Sequence, residues 1–184
     1  YQAPQAESWE PVTQGLVLPS GTSVKTAADG LAMVKFLADG SMMRLKPQTH
    51  LTLAAREKKG GLQVSLGSVL FDIKKSKAKD RFTVSTPTSI ATVKGTKFWV
   101  IVRADSSTVL VGLDGEVSLE CRATGKSRNV KKGYTGIVDG SGLEVRETQG
   151  GDLPEGEDVL NLEFRFRDES GGTKTLRIES NQVQ

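Results

Sequence analysis

Apolar and polar residues alternate with a period of two along most of this chain. "LNLEFRFR" sets Leu160, Leu162, Phe164 and Phe166 against Asn161, Glu163, Arg165 and Arg167, the signature of a half-buried strand. "GEVSLEC" places Val117, Leu119 and Cys121 on one face and Glu116, Ser118 and Glu120 on the other. Short runs of the same kind occur at "VSLGSVLFDI", "RFTVS", "STVLVG" and "LEVR". No window of helical length keeps an i, i+3, i+4 apolar face, so the pattern predicts strands from end to end.

The punctuation agrees. Asp29-Gly30, Asp39-Gly40, Asp114-Gly115 and Asp139-Gly140 each fall between apolar runs. They read as hairpin turns, because Gly accepts positive φ and Asp can bond its own backbone. "LAMVKFLADGSMMRLKP" is thus a hairpin turning at Asp39-Gly40, with Pro47 closing its second strand. A looser recurrence of Gly, one residue and an apolar strand appears at "GSVLFDI" and "GEVSLEC", too irregular for a true solenoid.

Short strands about ten residues apart predict an all-β domain, a single β-sandwich or β-roll of jelly-roll or short solenoid-like form. It is expected over residues 1–146. The acidic, Gly-rich and Pro-containing stretch at 147–159 reads as a linker or exposed crossover. Residues 160–184 read as a C-terminal β-hairpin and tail turning near Ser170-Gly171-Gly172. Two strands alone are marginal in water, so this hairpin is expected to pack on the main sheet, on an absent neighbour or on a second copy.

The most apolar stretch, "SIATVKGTKFWVIV", is interrupted by Lys94-Gly95-Thr96. A phosphate-gripping loop would need the G-x-x-x-x-G-K-[ST] frame and a following helix, whereas a strand-like "KFWVIV" follows. The stretch therefore reads as two strand segments meeting at a bend, the second covered on both faces. Gly95 supplies a residue without Cβ at the bulge or corner, and the Thr96 hydroxyl is expected to tie to nearby backbone.

Composition narrows the chemistry. The chain has 184 residues, a formal charge of +3, one cysteine and one histidine. A lone Cys121 excludes an intrachain disulfide and a multi-cysteine zinc site, and its place on an apolar face makes it a small buried hydrophobe. His50 has no partner for a catalytic triad or a metal site. Glu155, Glu157 and Asp158 lie in the linker, which cannot hold carboxylates in fixed geometry. No catalytic residue, metal or cofactor is expected.

Much of the basic excess sits in "KKSKAKDR". Lys74, Lys75, Lys77, Lys79 and Arg81 form a solvated loop and the candidate interaction surface, suited to an anionic envelope surface. Only Phe82 is adjacent as an aromatic, and it alternates with Val84 as a core residue, so nucleic acid is not expected. No apolar run approaches the ~18 residues of a membrane span.

The order of motifs resembles the FecR domain of bacterial envelope proteins. The features are a Trp ahead of a G-x-x-L-x-x-G turn (Trp9, then Gly15 to Gly21), a Thr-ended strand (Thr26), and a DGS hairpin (Asp39, Gly40, Ser41). A G-x-V-x-F strand (Gly67, Val69, Phe71), an F-x-V-x-T-P strand (Phe82, Val84, Thr86, Pro87), a V-x-G-T-x-F segment (Val93, Gly95, Thr96, Phe98) and an L-x-G-x-V strand (Leu113, Gly115, Val117) follow. The resemblance runs from Trp9 to Val138. It implies a periplasmic or surface-exposed, all-β, non-catalytic domain.

In the iron-dicitrate sensor branch such a domain sits behind an anti-sigma segment and a membrane helix, and relays a signal from an outer-membrane transporter. This chain shows neither, so the resemblance implies an excised ectodomain or a free-standing exported protein. "YQAPQAES" also lacks the G-x-V strand that the family usually places before the Trp. The expected function is a protein-interaction or signal-relay module. The alternatives are binding of peptidoglycan or another anionic envelope polymer, and assembly of a homo-oligomer through the C-terminal hairpin.

Overall fold

The structure, a computed structural model, describes residues 1–53, 61–75 and 81–155 fully, and the backbone of 159–167 and 173–181. The chain divides into two compact units, Tyr1–Asp152 and Leu153–Gln184. Each is described by itself.

In the first unit β1 (Ser23–Lys25), β2 (Ala32–Lys35), β3 (Met42–Leu45), β4 (His50–Leu53) and β5 (Gly61–Asp72) are followed by β6 (Phe82–Ser85), β7 (Ser89–Val93) and β8 (Lys97–Val102). Then come β9 (Thr108–Asp114), β10 (Glu116–Cys121), β11 (Ser127–Lys131), β12 (Tyr134–Asp139) and β13 (Gly142–Glu147). Among the described residues these strands make one 13-stranded sheet that curls until it nearly closes, as a barrel does.

The long strand β5 explains the curl. Its first half pairs with β4 and, in parallel, with β6, while its second half, from Gly67 onward, pairs with β3 and β8. One layer therefore runs β1-β4-β5-β6-β7-β10-β11, and the other runs β2-β3-β5-β8-β9-β12-β13. Their inner faces bury one core, in which Leu62, Val64, Val84, Val117 and Leu119 of the first layer meet Met43, Val69, Phe71, Phe98, Val100 and Leu110 of the second. Phe71 stacks on Phe98 at 5.1 Å between centroids. Removing that much apolar surface from water is the main stabilising term.

The chain passes between layers at glycines. Gly67 (φ +91°), Gly95 (φ +89°) and Gly115 (φ +74°) each stand where a strand leaves one layer for the other. A Cβ on Gly67 would lie 2.5 Å from the Thr49 Cα. Both the twist and the close approach require glycine there. The expected bend at Gly95 is therefore a corner between β7 and β8. β8 lies between β5 and β9, and Phe98, Trp99, Val100 and Val102 are all buried.

Two expectations are corrected. Asp39-Gly40 and Asp139-Gly140 do turn hairpins, between β2 and β3 and between β12 and β13. Asp29-Gly30 and Asp114-Gly115 do not: β1 pairs with β4, not β2, and β9 does not pair with β10. The same dipeptide serves a corner as well as a hairpin, because both need only a tight reversal of backbone direction. Secondly, the Thr96 Oγ1 is buried and makes no hydrogen bond among the described residues. Thr96 acts through its carbonyl, which accepts the Ile73 N–H at 3.0 Å, and its methyl, which packs under Gly115.

Cys121 is buried with Val117 and Leu119. Pro87 sits in the four-residue turn joining β6 to β7, where the Thr86 N–H bonds the Ser89 carbonyl at 2.9 Å. Within the stretch expected to be a linker, a 3-10 turn at Gly150–Asp152 leaves Asp152 only 7% exposed. Arg146 bonds both its carboxylate oxygens at 2.7 Å. This contact holds the Asp152 carboxyl below the usual carboxylate range.

The second unit contains β14 (Val159–Arg167) and β15 (Thr173–Asn181), an antiparallel pair with Phe164 opposite Leu176. The turn expected near Ser170 lies outside the described residues. No helix among the described residues is long and apolar enough to cross a membrane.

Candidate interaction surface

Six of the residues that carried the resemblance, Asp39, Gly40, Ser41, Gly95, Thr96 and Gly115, come together at one end of the first unit. Asp39 Oδ1 accepts the Ser41 N–H at 2.8 Å, closing the β2–β3 turn around Gly40. The buried Ser41 turns its Oγ to the Lys74 N–H at 3.0 Å. One residue earlier, Ile73 is bonded to the Thr96 carbonyl. A Cβ on Gly95 would meet the Lys75 backbone, with its Cα at 2.7 Å and its N at 2.8 Å. A Cβ on Gly115 would lie 2.8 Å from the Thr96 methyl. Gly40, Ser41, Gly95, Thr96 and Gly115 thus form the socket from which the basic segment leaves the end of β5.

Lys74, Lys75 and Arg81 are exposed on that segment, and Lys77 and Lys79 lie outside the described residues. Lys74 makes a 3.3 Å ion pair with Asp72, both half in solvent, an arrangement worth little stability. Strand pairing adds two cations that sequence reasoning missed. Lys97 stands opposite Asp72 and Asp114, and Lys94 follows Val93, the partner of Phe82, so it adjoins Arg81. Both are exposed. Only the non-local register could have shown this, since Lys94 and Lys97 sit in an apolar run.

The remaining signature residues are structural in position. Trp9 packs edge-on against His50 at 5.8 Å, with Lys25 Nζ 4.1 Å from its ring centroid. Burial, and then the Lys25 charge, hold the His50 imidazole below its ordinary pKa. His50 is therefore a neutral packing partner. Gly67 and Phe98 shape the core, and Pro87 the β6–β7 turn. Among the described residues, no group of three or more His, Cys, Asp or Glu could hold a metal ion.

A second feature is an open groove of about 620 Å³ between β11 and β13, lined by Ser127, Arg128, Asn129, Lys131, Tyr134 and Val145. Glu116 engages two of these, accepting from Asn129 Nδ2 at 2.7 Å and pairing with Lys131 at 3.7 Å.

Comparison with known proteins bears on these surfaces. The family described as FecR protein matches residues 22–118, which reach from the start of β1 into β10. Trp9 and the Gly15–Gly21 turn lie before the matched range. Two crystal structures of a candidate anti-sigma factor from Parabacteroides distasonis ATCC 8503 share the fold. Each has a TM-score of 0.59 at 17% identity, over 70% of this chain and 60% of theirs. The chain thus spans about 60% of the length of those structures. No curated protein matches the chain.

Proposed function

The chain belongs to the FecR family, and from that premise we propose that it is a non-catalytic interaction and signal-relay module of the bacterial envelope. The observation that carries this reading is where the signature residues fall. Asp39, Gly40, Ser41, Gly95, Thr96 and Gly115 build turns and corners, and what they hold out to solvent is charge, not a nucleophile, a base or a ligand set. The description of the structural neighbours as an anti-sigma factor supports a regulatory role with a protein partner.

The test is capture of envelope proteins on the immobilised full chain, compared with a Lys74→Gln, Lys75→Gln, Lys94→Gln variant of unchanged melting temperature. Specific capture that the variant loses supports the reading. Equal recovery on both, or none on either, removes the cationic end from it.

The same exposed cations favour one further reading, attachment to peptidoglycan or another anionic envelope polymer in the periplasm or at the cell surface. Electrostatic attachment weakens as salt shortens the screening length. Co-sedimentation with purified peptidoglycan that is indifferent to salt would count against it. Assembly through β14 and β15 rests on the marginal stability of any two-stranded sheet by itself, and cross-linking of the full chain would detect it.

A further inference from the structure

We propose that the edge of β2 left unpaired among the described residues is a self-association surface, on which a second copy of this chain pairs its own β2 antiparallel about a two-fold axis at Met33. This goes beyond the relay reading and concerns a different element from the C-terminal hairpin.

Three observations lead to it. The first is exposure: Leu31, Met33 and Leu37 are 67%, 70% and 81% exposed. They are the side chains that β2 and its flanks turn away from the core. Large apolar groups gathered on one edge are what association sites display.

The second is the backbone. Among the described residues β2 pairs only with β3. The Phe36 N–H bonds the Ser41 carbonyl at 2.8 Å, and because ladder bonds alternate, Ala32, Val34 and Phe36 face β3. Leu31, Met33 and Lys35 therefore turn their N–H and C=O groups to the open side.

The third is self-complementarity. Pairing about Met33 sets Met33 against Met33, Leu31 against Lys35 of the other copy, and Ala32 against Val34. No like charges stand opposite, and the Lys35 stem covers Leu31. Among the described residues, the other edges of the 13-stranded sheet are covered or carry more charge than β2, whose one charge is Lys35. Ser23 of β1 is bridged to Gln2, β11 carries Arg128 and Lys131, and β13 carries Glu144 and Glu147. Charged side chains on an edge are a common defence against such pairing.

The test uses the full chain. Met33→Cys places two thiols opposite each other, at the ~5.5 Å Cα spacing of a hydrogen-bonded antiparallel pair, which a disulfide spans. The buried Cys121 does not compete. Mild oxidation should convert Met33→Cys to a covalent dimer and leave an Asn129→Cys control on β11 monomeric. Light scattering should show the wild-type mass doubling with concentration. Met33→Lys, which opposes two like charges, should abolish the doubling without shifting the melting temperature. A wild-type monomer at every concentration, equal cross-linking at both positions, or a dimer indifferent to Met33→Lys each overturns the proposal.

Discussion

Gly95 and Gly125 hold similar backbone twists, φ +89° and +66°, in very different surroundings. At Gly95, in the corner between β7 and β8, a Cβ would press into the Lys75 backbone. At Gly125, in the exposed turn between β10 and β11, it would meet nothing within 4 Å. A left-handed φ costs an ordinary residue about 1–2 kcal/mol wherever it occurs. Only the corner adds an overlap that the chain cannot relieve without moving the root of the basic segment. Glycine is thus a local convenience in one place and a constraint of the whole fold in the other.

The comparison breaks most visibly at Gly95. Gly95→Val joins a strained φ to overpacking against backbone, together on the order of 3–5 kcal/mol. For a domain of this size that should lower the melting temperature by roughly 10 °C, read by circular dichroism. A melt within two or three degrees of wild type would remove the overlap from the account.

A smaller loss is expected where Arg146 holds Asp152. Hydrogen bonds to a charged group contribute about 1.5–3 kcal/mol, so Asp152→Asn should lower denaturant stability by a similar amount. The sign with pH follows from the depressed carboxyl. Its contribution is complete above the unfolded-state value near ~4 and fades as pH falls through the lower folded value. The gap between wild type and Asp152→Asn should therefore close below about pH 4, and a gap that widens on acidification would contradict the pairing.

Gly125→Ala sharpens the contrast from the other side. With open space around it, the cost is φ strain alone, about 1 kcal/mol, partly offset by a less flexible unfolded chain. Smallest of all is the effect of neutralising Lys74, Lys75 and Lys94. Exposed charges change stability by less than about 0.5 kcal/mol, so the melting temperature should stay in place while retention on peptidoglycan or an envelope partner falls.

Much of this fold can be read in the sequence because strand alternation is local. Val117, Leu119 and Cys121 announce their buried face, and Gly95 announces a backbone need by interrupting an apolar run. Which layer a strand joins is not local. Asp114-Gly115 looks like Asp139-Gly140, and only the pairing of β10 with β7 makes the first a corner. Likewise, in "LAMVKF" Lys35 alone marks the outer face, so alternation gives only one polar residue to say that Val34 and not Met33 points inward. The structure sets Val34 against the core and leaves Met33 in solvent. For the candidate surface, the Lys74 to Arg81 cluster is visible as a run, whereas Lys94 and Lys97 join it only through cross-strand register.

The central claim is that the Gly95 corner supports the domain and the cations beside it make the contacts. One paired measurement tests it most directly: the melting temperature of Gly95→Val beside its salt-dependent retention on purified peptidoglycan, taken at a temperature where the variant remains folded. The account predicts a melt lower by roughly 10 °C with salt-dependent retention kept, weakened at most by the displacement of Lys75, because Lys74 and Lys94 stay exposed. An unchanged melt with retention lost would contradict it, and would make Gly95-Thr96 a binding loop after all.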